Sequence, residues 1–141
     1  MDRLAVDANV LFGALISGRD EYLTLFADYQ LFLPDFALHE IQIYQEIILR
    51  KTKLAPEKLQ AFTLNLFDQV TVVPNFLIST QSYLRAFELC KRVDEKDTPY
   101  LALSMEFDIH LLSKDEELVN GLRGQGYEKV ITLKEFFDQI G

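Results

Sequence analysis

Short apolar runs of three or four residues alternate along this chain with longer stretches whose apolar residues recur at helical spacing. Leu4-Ala5-Val6 ends at Asp7, Leu31-Phe32-Leu33 at Pro34, and Val70-Thr71-Val72-Val73 is rich in β-branched residues. Ile109-His110-Leu111-Leu112 and the segment Lys129 to Thr132 complete the set. Apolar runs that short, bounded by turn residues, are read as buried strands. Between them, helices are expected from Ala8 through Leu15, stopped by Ser17-Gly18, then from Glu21 to about Asp28 and from Asp35 to about Arg50. Pro56 sits as a first-turn proline before a helix reaching about Gln69. Further helices are expected from Ser79 or Thr80 to Arg92, from about Asp97 onward, from Asp115 to about Leu122, and from Leu133 to Ile140. Pro99, which lacks an N–H, is tolerated in a first turn, so it fits a helix opening at Asp97. Strands alternating with helices predict an α/β fold. The expected form is a three-layer α/β/α arrangement around a mainly parallel sheet of about 4–5 strands.

Composition narrows the class. A length of 141 residues with 49% hydrophobic residues is enough for one core, and the whole chain, 1–141, is read as one domain. No apolar run approaches the roughly 20 residues that span a bilayer, so no membrane association is expected. No charged-then-apolar leader opens the sequence, and the expected compartment is the cytoplasm. Cys90 is the single cysteine, which excludes an internal disulfide and a thiolate zinc cluster. Only His39 and His110 are present, too few for a histidine-rich metal site. With 14 Lys+Arg against 22 Asp+Glu, the formal net charge is −8. On charge alone such a surface is poorly suited to a phosphate backbone.

The acidic residues are informative through their positions. Asp7 directly follows the first strand and Asp115 follows the fourth. In parallel α/β sheets, ligands collect at the carboxyl ends of the strands, so neighbouring strands would bring both carboxylates to one edge. Asp97 opens a helix, and Glu40 interrupts an otherwise apolar helix face about one turn after Pro34. Four carboxylates converging without partners would raise one another's pKa values. A hard divalent cation such as Mg²⁺ resolves that conflict and can activate water against a phosphodiester. Each acid also has a plainer reading. Asp7 can cap the helix starting at Ala8, Asp94 and Asp97 can cap helix starts, and Glu40 can lie at a solvated helix edge. Ser113-Lys114-Asp115-Glu116 matches a capping box, with Ser113 as cap and Asp115 as a first-turn acid.

Taken in order, these segments resemble the PIN domain family. Asp7-Ala8-Asn9-Val10-Leu11 is similar to its opening motif, and Glu40 within Leu33 to Ile41 to its helix-borne acid. Asp94 to Leu103 resembles the third motif, Leu112 to Leu118 the fourth, and Val130-Ile131-Thr132 the closing strand. The resemblance implies a Mg²⁺- or Mn²⁺-dependent ribonuclease with Asp7, Glu40, Asp97 and Asp115 as the catalytic, metal-binding acids. Asn9 and Ser113 would hydrogen-bond among them, and Asp94 is either an extra acid or a structural cap. Small stand-alone members are often toxin halves of prokaryotic toxin–antitoxin pairs, so an RNA substrate and an antitoxin partner are implied. The alternative is a catalytically inactive PIN-like module that binds protein or RNA and keeps the acids as caps. A phosphoryl-accepting α/β domain would need an adjacent acid at the first strand's end, and Asp7-Ala8-Asn9 lacks one.

Other residues carry weaker signals. Arg50, Lys51, Lys53 and Lys58, and then Arg85, Lys91, Arg92 and Lys96, either track an RNA backbone or are simply solvated near helix ends. Phe26, Phe32, Phe36, Phe62, Phe67, Phe87 and Phe107 read mostly as core. Tyr22, Phe26, Phe36 and Tyr44 exceed what one helix face needs, which points to a partner surface, in a homodimer or toward an antitoxin segment. Lys114, beside Asp115, reaches a scissile phosphate or is solvated. His39 points away from Glu40, His110 belongs to its strand, and Cys90 reads as a small buried hydrophobe.

Overall fold

Leu4, Ala5 and Val6 are wholly buried, as a strand covered on both faces must be. They lie in β1 (Arg3–Val6), the middle strand of a five-stranded sheet in a computed structural model that describes residues 2–140. On one side β1 pairs with β2 (Gln30–Pro34), which pairs with β3 (Val70–Val73). On its other side it pairs with β4 (His110–Ser113), which pairs with β5 (Val130–Thr132). Every pairing is parallel and the order is β3-β2-β1-β4-β5. The backbone N–H of Asp7 still donates to the Leu112 carbonyl at 2.9 Å, so the β1–β4 ladder runs up to the strand-end acid.

Helices fill the connections. From β1 the chain passes through α1 (Ala8–Ser17) and α2 (Asp20–Asp28) to β2, then α3 (Phe36–Ile43), α4 (Gln45–Lys51) and α5 (Pro56–Asp68) to β3. It returns through α6 (Thr80–Cys90) and α7 (Thr98–Phe107) to β4, then α8 (Glu116–Gly124) to β5 and α9 (Leu133–Ile140). Short 3-10 turns occupy Asn75–Leu77 and Glu95–Asp97. Right-handed crossovers place the helices that lead toward β3 on one face and those that lead toward β5 on the other. The result is a three-layer α/β/α sandwich. The chain leaves β1 in one direction and β4 in the other, so a crevice opens between their carboxyl ends. Among the described residues, no helix is long and apolar enough to cross a membrane.

Three expectations are corrected. The single helix expected over 35–50 is two, broken at Tyr44, whose ring packs against Phe12 of α1 at 5.0 Å. Phe36 and Phe87 are exposed rather than core, whereas Phe26 and Phe32 are buried. Tyr22, assigned above to a partner surface together with Phe26, is buried against Phe137 of α9 in an edge-on contact of 5.8 Å. The two basic groups, 50–58 and 85–96, are exposed throughout.

Candidate functional site at the carboxyl edge of the sheet

Asp7 stands where β1 turns into α1. Its backbone is extended, and its Oδ1 accepts from the Asn9 N–H at 3.3 Å, so it caps α1. Its Oδ2 accepts from the Ser113 hydroxyl at 3.0 Å, across the β1–β4 seam. Asn9 also reaches that strand: its side-chain amide donates to Ser113 Oγ at 3.3 Å, and its Oδ1 accepts from the Lys114 N–H at 3.1 Å. Ser113 in turn accepts from the Asp115 N–H at 3.0 Å. Asp7, Asn9, Ser113 and Asp115 are therefore one hydrogen-bonded unit built from two strand ends.

This unit excludes the capping-box alternative at Ser113. Asp115 is the cap of α8, with Oδ1 accepting from the Leu118 N–H at 3.1 Å, while Ser113 is wholly buried and turned to Asp7. Asp94 caps the 3-10 turn by accepting from the Lys96 N–H at 3.1 Å. Asp97 behaves differently. It occupies the cap position of α7 but makes no side-chain capping bond, and its Oδ2 is buried with no hydrogen-bond partner. A buried carboxylate oxygen without a partner is expensive and calls for an explanation.

Glu40 reaches the group from α3. The hydroxyl of Tyr100 on α7 donates to Glu40 Oε1, and Tyr100 itself is almost fully buried. Sequence reading did not single out Tyr100. Its signal was positional: it follows Asp97 by three residues on a helix, which places both on one face.

Burial raises the pKa of Asp7 from an ordinary 3.8 to about 6, and the negative charges of Glu40 and Asp115 push it the same way. Asp97 is pushed to about 7, first by burial and then by Asp7, Asp94, Asp115 and Glu40. The four expected acids thus share one electrostatic neighbourhood, with Asp94 at its border. Tyr100 is raised too, by burial and by its bond to Glu40, so it stays a neutral donor. Burial and Asp97 lift the Cys90 thiol to about 12, which makes it an inert packing group.

Among the described residues, no three His, Cys, Asp or Glu side chains are already drawn together as an ion cage. The donor set nevertheless fits a hard cation: its donors are oxygens, and the unpartnered Asp97 Oδ2 is the kind of atom that an ion would satisfy. The sequence matches the family model of the PIN domain over residues 5–134. No curated protein sequence matches the chain. The PIN domain is a nuclease-type fold, and its family typically uses divalent metals.

Proposed function

The chain belongs to the PIN domain family, and from that membership we propose that it is a divalent-metal-dependent ribonuclease acting through Asp7, Glu40, Asp97 and Asp115. The observation that carries the reading is Asp97, whose buried Oδ2 has no protein partner amid a group of like charges. A cap would have satisfied that oxygen, and a solvated acid would not be buried.

Asp7, Glu40, Asp97 and Asp115 would hold the ion, Mg²⁺ or Mn²⁺. When bound, it supplies the positive charge that activates water and steadies the oxygens of a phosphodiester under displacement. The chain's own contribution is orientation. Ser113 and the Asn9 N–H fix the two oxygens of Asp7, and Tyr100 turns Glu40 into the group. Asn9 ties β1 to β4, so that Asp7 and Asp115 keep one spacing. Such outer partners set ligand orientation and affinity in metal sites generally.

The test is cleavage of RNA by the purified protein with Mn²⁺ beside Asp97→Asn and Asp7→Asn. Wild type should cut and both variants should lose activity by at least about a hundredfold with their fold intact. Equal cleavage by all three would end the site assignment. No cleavage by wild type would favour the inactive binding module. The finer role, toxin half of a toxin–antitoxin pair in the cytoplasm, draws support from the family's small members and from exposed Ile43, Leu49 and Leu64, which would suit an antitoxin or a second copy in a homodimer. Induced expression should arrest growth of a host cell, and Asp97→Asn should not.

A further inference from the structure

The two outer strands of the sheet are finished differently. At β5, the Leu111 N–H donates to the Lys129 carbonyl at 3.0 Å, so alternation turns the backbone groups of Val130 and Thr132 away from β4. Side chains take them up. Arg123 donates to the Val130 carbonyl at 3.1 Å, Glu135 accepts from the Thr132 N–H at 2.9 Å, and Arg123 and Glu135 pair with each other at 3.0 Å. An ion pair closes that edge.

β3 carries no such cover. The Asp35 N–H donates to the Val73 carbonyl at 3.1 Å, which turns the groups of Val73 and Thr71 toward β2 and those of Val70 and Val72 outward. Among the described residues, no turn or side chain bonds to these outward groups. Thr71 and Val72 point to opposite faces of the sheet, yet Thr71 is exposed and Val72 half-buried, so the opening is the edge itself. An open edge is a template for another strand, and proteins commonly blunt it with charged side chains. Here the reverse holds: Gln69 to Leu84, without Asp, Glu, Lys or Arg, is the longest uncharged run in the sequence. Copies of a chain with net charge −8 repel one another, and this stretch adds nothing to that repulsion. Phe76, 84% exposed just past the strand, adds apolar area beside it.

We propose that β3 pairs antiparallel with β3 of a second copy of this chain, joining the two sheets edge to edge across a two-fold axis. The favoured register is centred on Thr71. Val70 and Val72 then exchange their backbone bonds with Val72 and Val70 of the second copy, and the two Thr71 side chains meet in the close, non-hydrogen-bonded position, where Thr pairs are favourable. A register centred on Val72 would set Val70 against Pro74, which has no N–H to give. Centred on Thr71, the pairing also sets Asp68 opposite Pro74 rather than opposite another acid. Because β5 is capped, the assembly uses the open edge of each copy and closes at two chains. Antiparallel pairing turns the carboxyl edges of the two sheets in opposite directions, so each copy keeps a separate group of acids. The surface is distinct from exposed Ile43 and Leu49 of α3 and α4, and the inference does not rest on the nuclease reading.

Sedimentation equilibrium of the full chain tests the pairing. Wild type should carry twice the chain mass. Thr71→Lys sets like charges face to face without removing a bond to β2, and should return the single-chain mass with the far-UV circular dichroism unchanged. Thr71→Glu should do the same, and mixing the two variants at low salt should restore the double mass. Leu49→Glu, on the helical surface, should leave the wild-type mass as it is. A single-chain mass for wild type, a mass above two chains, a double mass retained by Thr71→Lys, no recovery on mixing, or dissociation by Leu49→Glu would each overturn the proposal.

Discussion

Asp97 and Asp7 retain protons at pH values where ordinary aspartates have lost theirs, and the sign of the consequence follows. Their native pKa values, about 7 and about 6, lie above the unfolded 3.8. The native state therefore holds more protons than the unfolded chain between about pH 4 and 7. Stability of the metal-free protein falls as pH rises through that window, by an amount on the order of a few kcal/mol. Urea unfolding of metal-free protein from pH 4.5 to 7.5 should show this decline, and Asp97→Asn should flatten it. Tyr100→Phe keeps the packing but removes the donor to Glu40. On the proposed reading it should raise the Mn²⁺ concentration needed for half-maximal activity about tenfold or more, with melting temperature little changed. At this scale the strand-end acids were legible in sequence, because a carboxylate after a buried strand has few places to go. The division between cap and site was not legible. Asp7 and Asp115 serve as caps while facing their neighbours, and only the unpartnered oxygen of Asp97 separates the two roles. Tyr100 meets Glu40 across 60 positions, a contact that no local pattern encodes.

Helix ends show which local signals survive packing. Gly18 terminates α1 in the left-handed region, φ 62°, with its N–H on the Ala14 carbonyl at 2.9 Å. A Cβ there would also lie 2.7 Å from the Leu54 side chain. Gly18→Ala should cost about 1–2 kcal/mol or more in urea unfolding. Gly124→Ala, at the end of α8 with open space around it, should be neutral or slightly stabilising. At the start of α9, Thr132 and Glu135 form a reciprocal cap: Glu135 N–H donates to Thr132 Oγ1 at 3.0 Å, and Thr132 N–H to Glu135 Oε1 at 2.9 Å. Arg123 and the Thr132 N–H hold the Glu135 carboxyl down to about 2. The Ser-x-x-Glu pattern at 113–116 looked alike in sequence and did not form, because Ser113 is buried against Asp7. The break at Tyr44 was likewise invisible. No glycine or proline marks it, and the residue at the turn packs its ring against Phe12 of α1. The strands, in contrast, were readable from their apolar runs, since parallel strands covered on both faces are mostly apolar.

Over the whole molecule the excess of acid acquires a place. Four of the 22 acidic residues lie in one neighbourhood, and neutralising them halves the net charge of −8. Addition of Mn²⁺ should therefore raise the melting temperature with concentration, by about 2.7 kcal/mol of stability at a hundred times the dissociation constant. Asp97→Asn should lose most of that response in a thermal scan. The sheet order adds a temporal side. β1 and β4 are neighbours although Asn9 and Ser113 are 104 positions apart. A chain growing from its N-terminus carries Asp7 and Glu40 well before β4 exists, with one edge of β1 bare and no Ser113 hydroxyl to hold the second oxygen of Asp7. On the proposed reading, synthesis order is itself a safety catch: an unfinished chain lacks both the hinge and the last of its blades.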